Sequence, residues 1–346
     1  MANQGSNAII PKARGMYAKR ISSAEYEELM RRRTVPEVAA ILKKHPYFAD
    51  SLATLSPTDP HREQIEELLG MDIFYKYEAL VHYDYSEESF ADYFIIECEV
   101  REILRVLRML SVGVAGRYIR TLPPFLEGQL RFDLFQLAET RSFDDVLTAL
   151  RNTPYQRVLR PQWILDPLLK DYPAAEAAMI RYYYKAVFEL ADKHLTGREL
   201  QSVKDLFLQE AEIYNINVIL RAKVFFGAAF TGEQIRHLLL PYTYRVGKRR
   251  QEELINARGL DALFAVYRQS GLEKLAGPTS PDEFDATSGR VLYHHAQRLL
   301  HRSASPSATV AAFVFFAKRE RDNVINVVEG VRYGLTPEKI RALLRY

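Results

Sequence analysis

One pattern of about three helical turns is written three times in this chain. At Glu212-Ile-Tyr-Asn215-Ile-Asn-Val-Ile-Leu-Arg221 a carboxylate is followed three residues later by an amide, and aliphatic residues fill the positions between and after them. Glu320-Arg-Asp-Asn323-Val-Ile-Asn326-Val-Val repeats the pattern near the C-terminus. Glu99-Val-Arg-Glu102-Ile-Leu-Arg105-Val-Leu carries it earlier, with glutamate where the others have asparagine. Residues three apart share one face of an α-helix, so each copy predicts a helix with a polar pair on one face and packing residues around it. The copies are separated by 113 residues (99 to 212) and 108 residues (212 to 320). A solenoid built from helix pairs repeats every roughly 20–50 residues, so this period is too long for one.

Other landmarks recur in the same order. Thr34-Val-Pro-Glu-Val38 precedes Pro46-Tyr47, Ser142-Phe-Asp-Asp-Val146 precedes Pro154-Tyr155, and Gly259-Leu-Asp-Ala-Leu263 precedes Gly271-Leu272. Thr34, Ser142 and Gly259 suit helix N-caps, and the proline or glycine twelve residues later suits a helix end. Tyr77-Glu-Ala79, Tyr184-Lys-Ala186 and His294-His-Ala296 lie between each cap and the long exit helix that carries the polar pair. The expected architecture is all-α: three pseudo-symmetric helical units, at 1–130, 131–243 and 244–346, derived by duplication.

Coarse helix boundaries follow from the pattern. They are 8–20, 34–45, 63–83, 90–110, 143–151, 171–194, 198–224, 245–257, 260–269, 281–302, 306–332 and 336–344, with Ser22-Ser23-Ala-Glu25 a capping signal before Tyr26 to Met30 and Thr231-Gly-Glu233 capping a short helix that ends before Pro241. Pro123-Pro124 breaks the passage between the first two units, Pro161 and Pro167 bracket Trp163, and Gly277, Pro278 and Ser280 form a loop in the third unit. No segment alternates apolar and polar residues over a sustained length, so no sheet is expected.

Apolar residues make 48% of the chain, enough for a proper core. Its 47 basic residues nearly balance 44 acidic ones, which argues against a chain that binds nucleic acid through net charge. The single Cys98 has no internal disulfide partner, which fits a reducing compartment. The longest apolar runs, Val310 to Ala317 and Val224 to Phe230, are far shorter than the roughly 20 residues a membrane-spanning helix needs. Any membrane contact is therefore expected to go through a partner. No phosphate-binding loop is present, since Gly113-Val-Ala-Gly116 is short and lacks a lysine. His294 and His301 could share a helix face without a third ligand, and the Gly247-Lys-Arg-Arg250 cluster reads as a solvated face. No cofactor, metal or assembled nucleophile is implied.

Two roles suit the polar pairs. They can bridge helices inside the fold, or they can line a concavity that receives a partner. Glu212, Asn215, Glu320 and Asn323 are candidates for the second role, together with Arg105, Arg221 and Arg332 on the exit helices, because arginine makes multidentate contacts with carboxylates and carbonyls.

Several segments taken together carry a family resemblance. They are Asn7-Ala-Ile-Ile-Pro-Lys-Ala-Arg14-Gly-Met, Arg33-Thr-Val-Pro-Glu-Val38, Tyr75-Lys-Tyr-Glu, Phe132-Asp-Leu-Phe, Glu212-Ile-Tyr-Asn215 with Leu220-Arg221-Ala-Lys223, and Lys318-Arg-Glu320 with Asn323. In their order and period the chain resembles the C subunit of the bacterial and archaeal V/A-type ATPase (ATP synthase), which is similar to the d subunit of the eukaryotic V-ATPase. The resemblance runs nearly end to end, and Glu102 departs from it. It implies an all-helical, funnel-shaped, non-catalytic protein at the cytoplasmic face of the membrane. The implied partners are the rotor ring of proteolipid subunits and the central shaft, with rotation passed between ATP chemistry and H+ or Na+ movement. A helical scaffold for some other partner, and a helical enzyme, are the competing classes.

Overall fold

The computed structural model describes residues 7–56, 60, 62–84, 88–114, 128–227, 230–269 and 281–345. Pro123-Pro124, Gly116, Gly271-Leu272, Gly277, Pro278 and Ser280 lie outside them. The first helices are α1 (Ile9–Ala18), α2 (Ser23–Met30), α3 (Val35–Leu42), α4 (Arg62–Val81) and α5 (Tyr93–Ser111). Next come α6 (Leu134–Ala138), α7 (Phe143–Ala149), α8 (Pro154–Leu165), α9 (Tyr172–His194) and α10 (Gly197–Arg221). The remainder are α11 (Gly232–Leu238), α12 (Gly247–Asn256), α13 (Leu260–Gln269), α14 (Pro281–Arg302), α15 (Pro306–Arg332) and α16 (Pro337–Leu343). No strand occurs among the described residues, so the fold is all-α.

Local chemistry explains most helix ends. The Thr34 hydroxyl accepts the backbone N–H of Glu37 at the start of α3. Ser142 and Asp145 make a reciprocal capping box on α7, as Thr231 and Gln234 do on α11. Gly259 takes φ +84° just before α13, a conformation glycine adopts without penalty. Pro154 does more than end a helix. It is the first residue of α8, capped by Thr153, where the missing N–H would have had no helical acceptor anyway. Helices α6 and α8 are additions to the boundaries that the sequence pattern predicts. At the end of α10, residues Ala222–Phe226 loosen into a π turn before Gly227 at φ +54°.

The chain divides into two compact units, residues 1–91 with 285–346, and residues 92–284. The first unit is made from both ends of the chain. Helix α15 packs against α1, α2, α3, α4 and α16. Its first half, Ala308 to Ala317, is buried on every face, which suits a sequence with no polar stripe there. Val324, Val327, Val328 and Val331 continue into a core with Tyr26, Leu29, Leu42, Phe48, Leu69 and Ile340. Arg14 donates to the terminal carbonyls of α14, from Nε to Leu300 at 2.8 Å and from Nη2 to Ser303 at 3.0 Å.

In the second unit α9 is central and packs against α5, α8, α10 and α11. Of its three consecutive tyrosines, Tyr183 and Tyr184 are buried, while Tyr182 meets Tyr155 edge-on with ring centres 5.2 Å apart. Cys98 is buried and is not in a disulfide. In both units an exit helix is packed with the following sequence repeat. Helix α5 leaves the first repeat and packs on α9 of the second, and α15 leaves the third and packs on α4 of the first.

Gly330 on α15 lets α16 approach closely. A Cβ there would lie 2.5 Å from Cγ1 of Ile340, a fully buried side chain. Gly330→Ala is expected to lower stability by about 1–3 kcal/mol through overpacking. Denaturant unfolding measures this, and an unchanged midpoint would refute the close contact.

Candidate functional site

The three repeated carboxylates all point inward. Glu99 on α5 is fully buried, accepts the backbone N–H of Arg131 at 2.5 Å and the hydroxyl of Tyr155, and has the Arg131 guanidinium 3.8 Å away. Burial pushes its pKa up, against the pull of these partners. Glu212 on α10 accepts three successive backbone N–H groups, from Tyr244 at 2.7 Å, Arg245 at 3.0 Å and Val246 at 2.9 Å. Glu320 on α15 accepts the Tyr26 hydroxyl at 2.9 Å and the backbone N–H of Ile21. Burial raises Glu320 to about 7, opposed by Tyr26, Arg20 and Lys76.

The receiving segments follow one rule. Arg131 and Tyr244 each lie 32 residues beyond their glutamate, at the opening of the next repeat. For Glu320 the receiver is the opening of the first repeat, with Tyr26 294 residues away in sequence. Each exit-helix carboxylate therefore clasps the start of a following repeat, and the third clasps the first.

The asparagines clasp the end of their own repeat. Asn215 donates from Nδ2 to the carbonyls of Leu240 (3.0 Å) and Tyr242 (3.1 Å) and accepts the Leu240 N–H at 2.8 Å. Asn323 accepts the Arg345 N–H at 2.9 Å, and its Nδ2 has no partner among the described residues. Both positions hold the backbone that leaves a short helix, α11 or α16. Glu102, their counterpart in the first repeat, is buried and lies 3.2 Å from Arg101 and 3.7 Å from Arg105. The four side chains offered by the sequence as a partner-facing set (Glu212, Asn215, Glu320 and Asn323) are thus buried and bonded within the chain.

The three arginines differ in setting. They stand six, nine and twelve residues after their glutamates (99 to 105, 212 to 221, 320 to 332), so they are not repeat equivalents. Arg105 lies beside Glu102, Arg221 is exposed, and Arg332 sits 3.6 Å from Glu329 with its guanidinium 5.6 Å from the Tyr333 ring centre. A closer equivalence appears at the helix ends. Val112 is 66% exposed, Phe226 58% and Tyr333 68%, and each is followed by a glycine at positive φ, Gly113, Gly227 or Gly334. The π turn adds one residue in the second repeat, which hides this alignment. A large apolar residue followed by glycine, at the repeat period, is the signal the sequence does carry.

A cleft of about 570 Å³ opens in the first unit, lined by Met16, Lys19, Tyr47, Asp72, Tyr75 and Lys76 among others. The Lys76 ammonium is enclosed by Asp72, by the Tyr47 carbonyl at 2.9 Å and by the Tyr47 ring at 3.2 Å, and Ser51 donates to Asp72. Burial lowers Lys76 and raises Asp72, while their mutual attraction opposes both shifts. Among the described residues no group of three His, Cys, Asp or Glu side chains could hold a metal ion. No helix there is long and apolar enough to cross a membrane.

Residues 9–343 match the family model described as ATP synthase (C/AC39) subunit. The chain belongs to this family. Among its relatives is the C subunit of the A-type ATP synthase of Methanosphaera stadtmanae, 21% identical over 82% of this chain and 71% of that protein. The protein of the same name from Methanocaldococcus jannaschii is 19% identical over 96% of this chain and 84% of its own length. That of Thermococcus onnurineus is 26% identical over 67% and 60%. The C/AC39 match spans both compact units, so the carboxylate clasps and the exposed helix ends all lie inside the shared region.

The two asparagines give unequal expectations. Asn215→Ala leaves three backbone groups around Leu240 and Tyr242 unpaired, whereas Asn323→Ala leaves one. At about 1–3 kcal/mol for an orphaned buried group, Asn215→Ala should be clearly the more destabilising in urea unfolding. Equal losses would mean the Asn215 bonds contribute nothing beyond one contact.

Glu320 makes stability depend on pH. Between its ordinary 4.5 and about 7 the folded chain holds a proton that the unfolded chain has released. The resulting stabilisation is fully present below 4.5 and is lost as pH rises through about 7, about 3 kcal/mol in all. Glu320→Gln cannot ionise and should flatten this part of the profile, from pH 4.5 up to about 7. An identical slope in wild type and variant would show that Glu320 titrates at its ordinary value.

Proposed function

We propose that this chain is the non-catalytic central-stalk component of an A/V-type rotary ATPase. It links the membrane rotor ring of proteolipid subunits to the central shaft, at the cytoplasmic face of the membrane, and carries rotation between ATP turnover and H+ or Na+ transport. The observation that carries the reading is the family match over residues 9–343. Membership fits the names of the relatives, each the C subunit of an A-type ATP synthase. The proposal includes three duplicated units at 1–130, 131–243 and 244–346 in a funnel, attached peripherally through its partners.

The chemistry of the chain suits torque transfer. A coupling element must resist twisting, and close-packed interiors deform little. Each long exit helix is further tied to a following repeat by a buried carboxylate, through bonds from the backbone N–H groups of Arg131, Tyr244 and Ile21 that leave little freedom to slide. Partner contacts fall to exposed groups: Arg105, Arg221 and Arg332 on the shaft side, with Val112, Phe226 and Tyr333 as apolar contacts at the ends of the same helices.

Deleting the protein should leave ATP hydrolysis by the soluble head intact while ATP-driven ion pumping by membranes disappears. Pumping at normal coupling without it would end the proposal. Arg221→Glu should weaken shaft binding most at low salt, where an exposed charge is least screened. An unchanged affinity would remove Arg221 from the contact without touching the wider reading.

A further inference from the structure

Another cleft, of about 590 Å³, opens in the second unit, lined by residues of α9, of α11 and the segment after it, and of α12. Its walls are fixed by bonds already made. Asn215 holds both backbone groups of Leu240 and the Tyr242 carbonyl, which pins the segment between α11 and α12. Arg181 on α9 donates from Nη1 to the His237 carbonyl of α11 at 2.6 Å. Arg236 on α11 grips the Glu252 carboxylate on α12, from Nε at 3.0 Å and Nη2 at 2.7 Å.

The charges around this cleft do not balance. Arg181, Arg236 and Lys248 line it against a single acid, Glu252, and Arg236 takes that acid. Helix α12 has one other acid, Glu253, which Arg249 and Arg250 share. Among the described residues Arg181 and Lys248 therefore meet no carboxylate. Burial pushes the Arg181 guanidinium down, and only the Tyr214 phenol opposes that shift. Glu233 is exposed and acts on Arg236. His237, the remaining ionisable group of the lining, also borders a smaller cavity of about 280 Å³ that holds Asp166 and Asp171. Those two acids do not line the larger cleft, and one oxygen of each accepts a backbone N–H. The surplus is the two cations Arg181 and Lys248. The Thr243 hydroxyl and the Gln251 amide share the lining with them, both half-buried and neither bonded among the described residues.

We propose that this cleft binds a small organic phosphate, a monoester whose dianionic head lies between Arg181 and Lys248. Such a head carries roughly −1.5 to −2 charge at neutral pH and three strong acceptor oxygens. Two cations and two neutral donors match that demand, whereas a carboxylate brings one charge and two oxygens. Arginine engages phosphate through parallel N–H groups, and Nε and Nη2 of Arg181 remain for it once Nη1 has gone to His237. The cleft is far larger than an inorganic ion needs, and its volume falls among the roughly 300–1,000 Å³ of clefts that take small organic ligands. Leu239, Leu240 and Pro241 supply an apolar wall for the organic body. Because Asn215 and Arg181 already fix the walls, little ordering is left to oppose binding. The site does not rest on the coupling reading, and its failure leaves the ion-pumping assay untouched.

Titration calorimetry and thermal unfolding of the full chain test this with phenyl phosphate, inorganic phosphate and benzoate. Phenyl phosphate is expected to bind tightest, since it alone offers both the dianion and an apolar body. Added salt should weaken it. Arg181→Gln and Lys248→Gln should each weaken it about tenfold or more, as the loss of a charge-assisted contact to phosphate. Lys248 is exposed and bonds nothing in the fold, so Lys248→Gln should leave dichroism and the urea midpoint unchanged. No heat and no rise in unfolding temperature with either phosphate would overturn the proposal. Binding undiminished in the double variant R181Q/K248Q would overturn it by placing the ligand elsewhere. Benzoate binding as tightly as phenyl phosphate would replace it with a carboxylate site. Inorganic phosphate binding as tightly would replace it with a site for the free ion.

Discussion

A buried carboxylate bonded to the backbone of a distant segment is the interaction on which the arrangement of helices depends. Removing a carboxylate from water costs several kcal/mol unless its oxygens are bonded. A chain segment entering a packed interior has the matching problem, because its N–H groups lose water before any helix has begun. At Tyr244, Arg245 and Val246 three such donors converge on Glu212. Three bonds to one carboxyl group offset much of what its burial costs. A shift of register along α10 would break all of them at once. At Glu320 the donors are a hydroxyl and one backbone N–H, and burial gains the upper hand, which is why that acid holds its proton to about 7.

Much of this fold is legible in the sequence. Capping residues such as Thr34, Ser142 and Thr231 mark helix starts by a local bond, and local bonds are visible in local sequence. The polar pairs are legible as residues sharing a helix face. What each pair faces is not, because helical periodicity fixes direction around one axis and says nothing of the neighbour there. Tyr26 lies 294 residues from Glu320, and no spacing rule spans that distance. Pro154 reads as a terminator because proline ends helices as readily as it begins them, and only Thr153 just before it decides between the two. The choice of arginines rests on their helix alone, without register, and so they fall at three different offsets. The exposed helix ends are hidden by one inserted residue in the π turn.

The inward turn of Glu212, Asn215, Glu320 and Asn323 changes how the repeat contributes to function. A polar face that met a partner would have to be desolvated afresh on binding, at a cost in affinity. Bonds already made inside the chain carry no such cost and can hold exit-helix ends in fixed positions. What recurs on the outside is the end of each exit helix, where a glycine at positive φ stops the helix and leaves a large apolar side chain outward. Duplication would keep this device while letting its chemistry drift, which fits valine, phenylalanine and tyrosine at one equivalent place. The family match spans all three ends, Val112, Phe226 and Tyr333.

The composition of the two units also constrains how the chain can fold. Residues 92–284 are continuous, and their pairings, such as Glu99 with Arg131 and Asn215 with Leu240, close loops of 32 and 25 residues. The other unit joins residues 1–91 to 285–346, and its core needs α15 between α4 and α1. Loop closure grows more costly with length, though only slowly, so the larger consequence is for order and rate. During synthesis the central unit has all its parts before α15 exists. Helices α1 to α4 must wait with Tyr26, Leu29, Leu42 and Phe48 lacking the valine face that covers them. A carboxylate near the end of the chain is well suited to end that wait. Glu320 becomes buried only when Ile21 and Tyr26 are in place to receive it, so its bonds form only with the correct docking of α15. A misplaced α15 would bury the same carboxyl group without its partners, and the cost of that makes the wrong arrangement the less stable one.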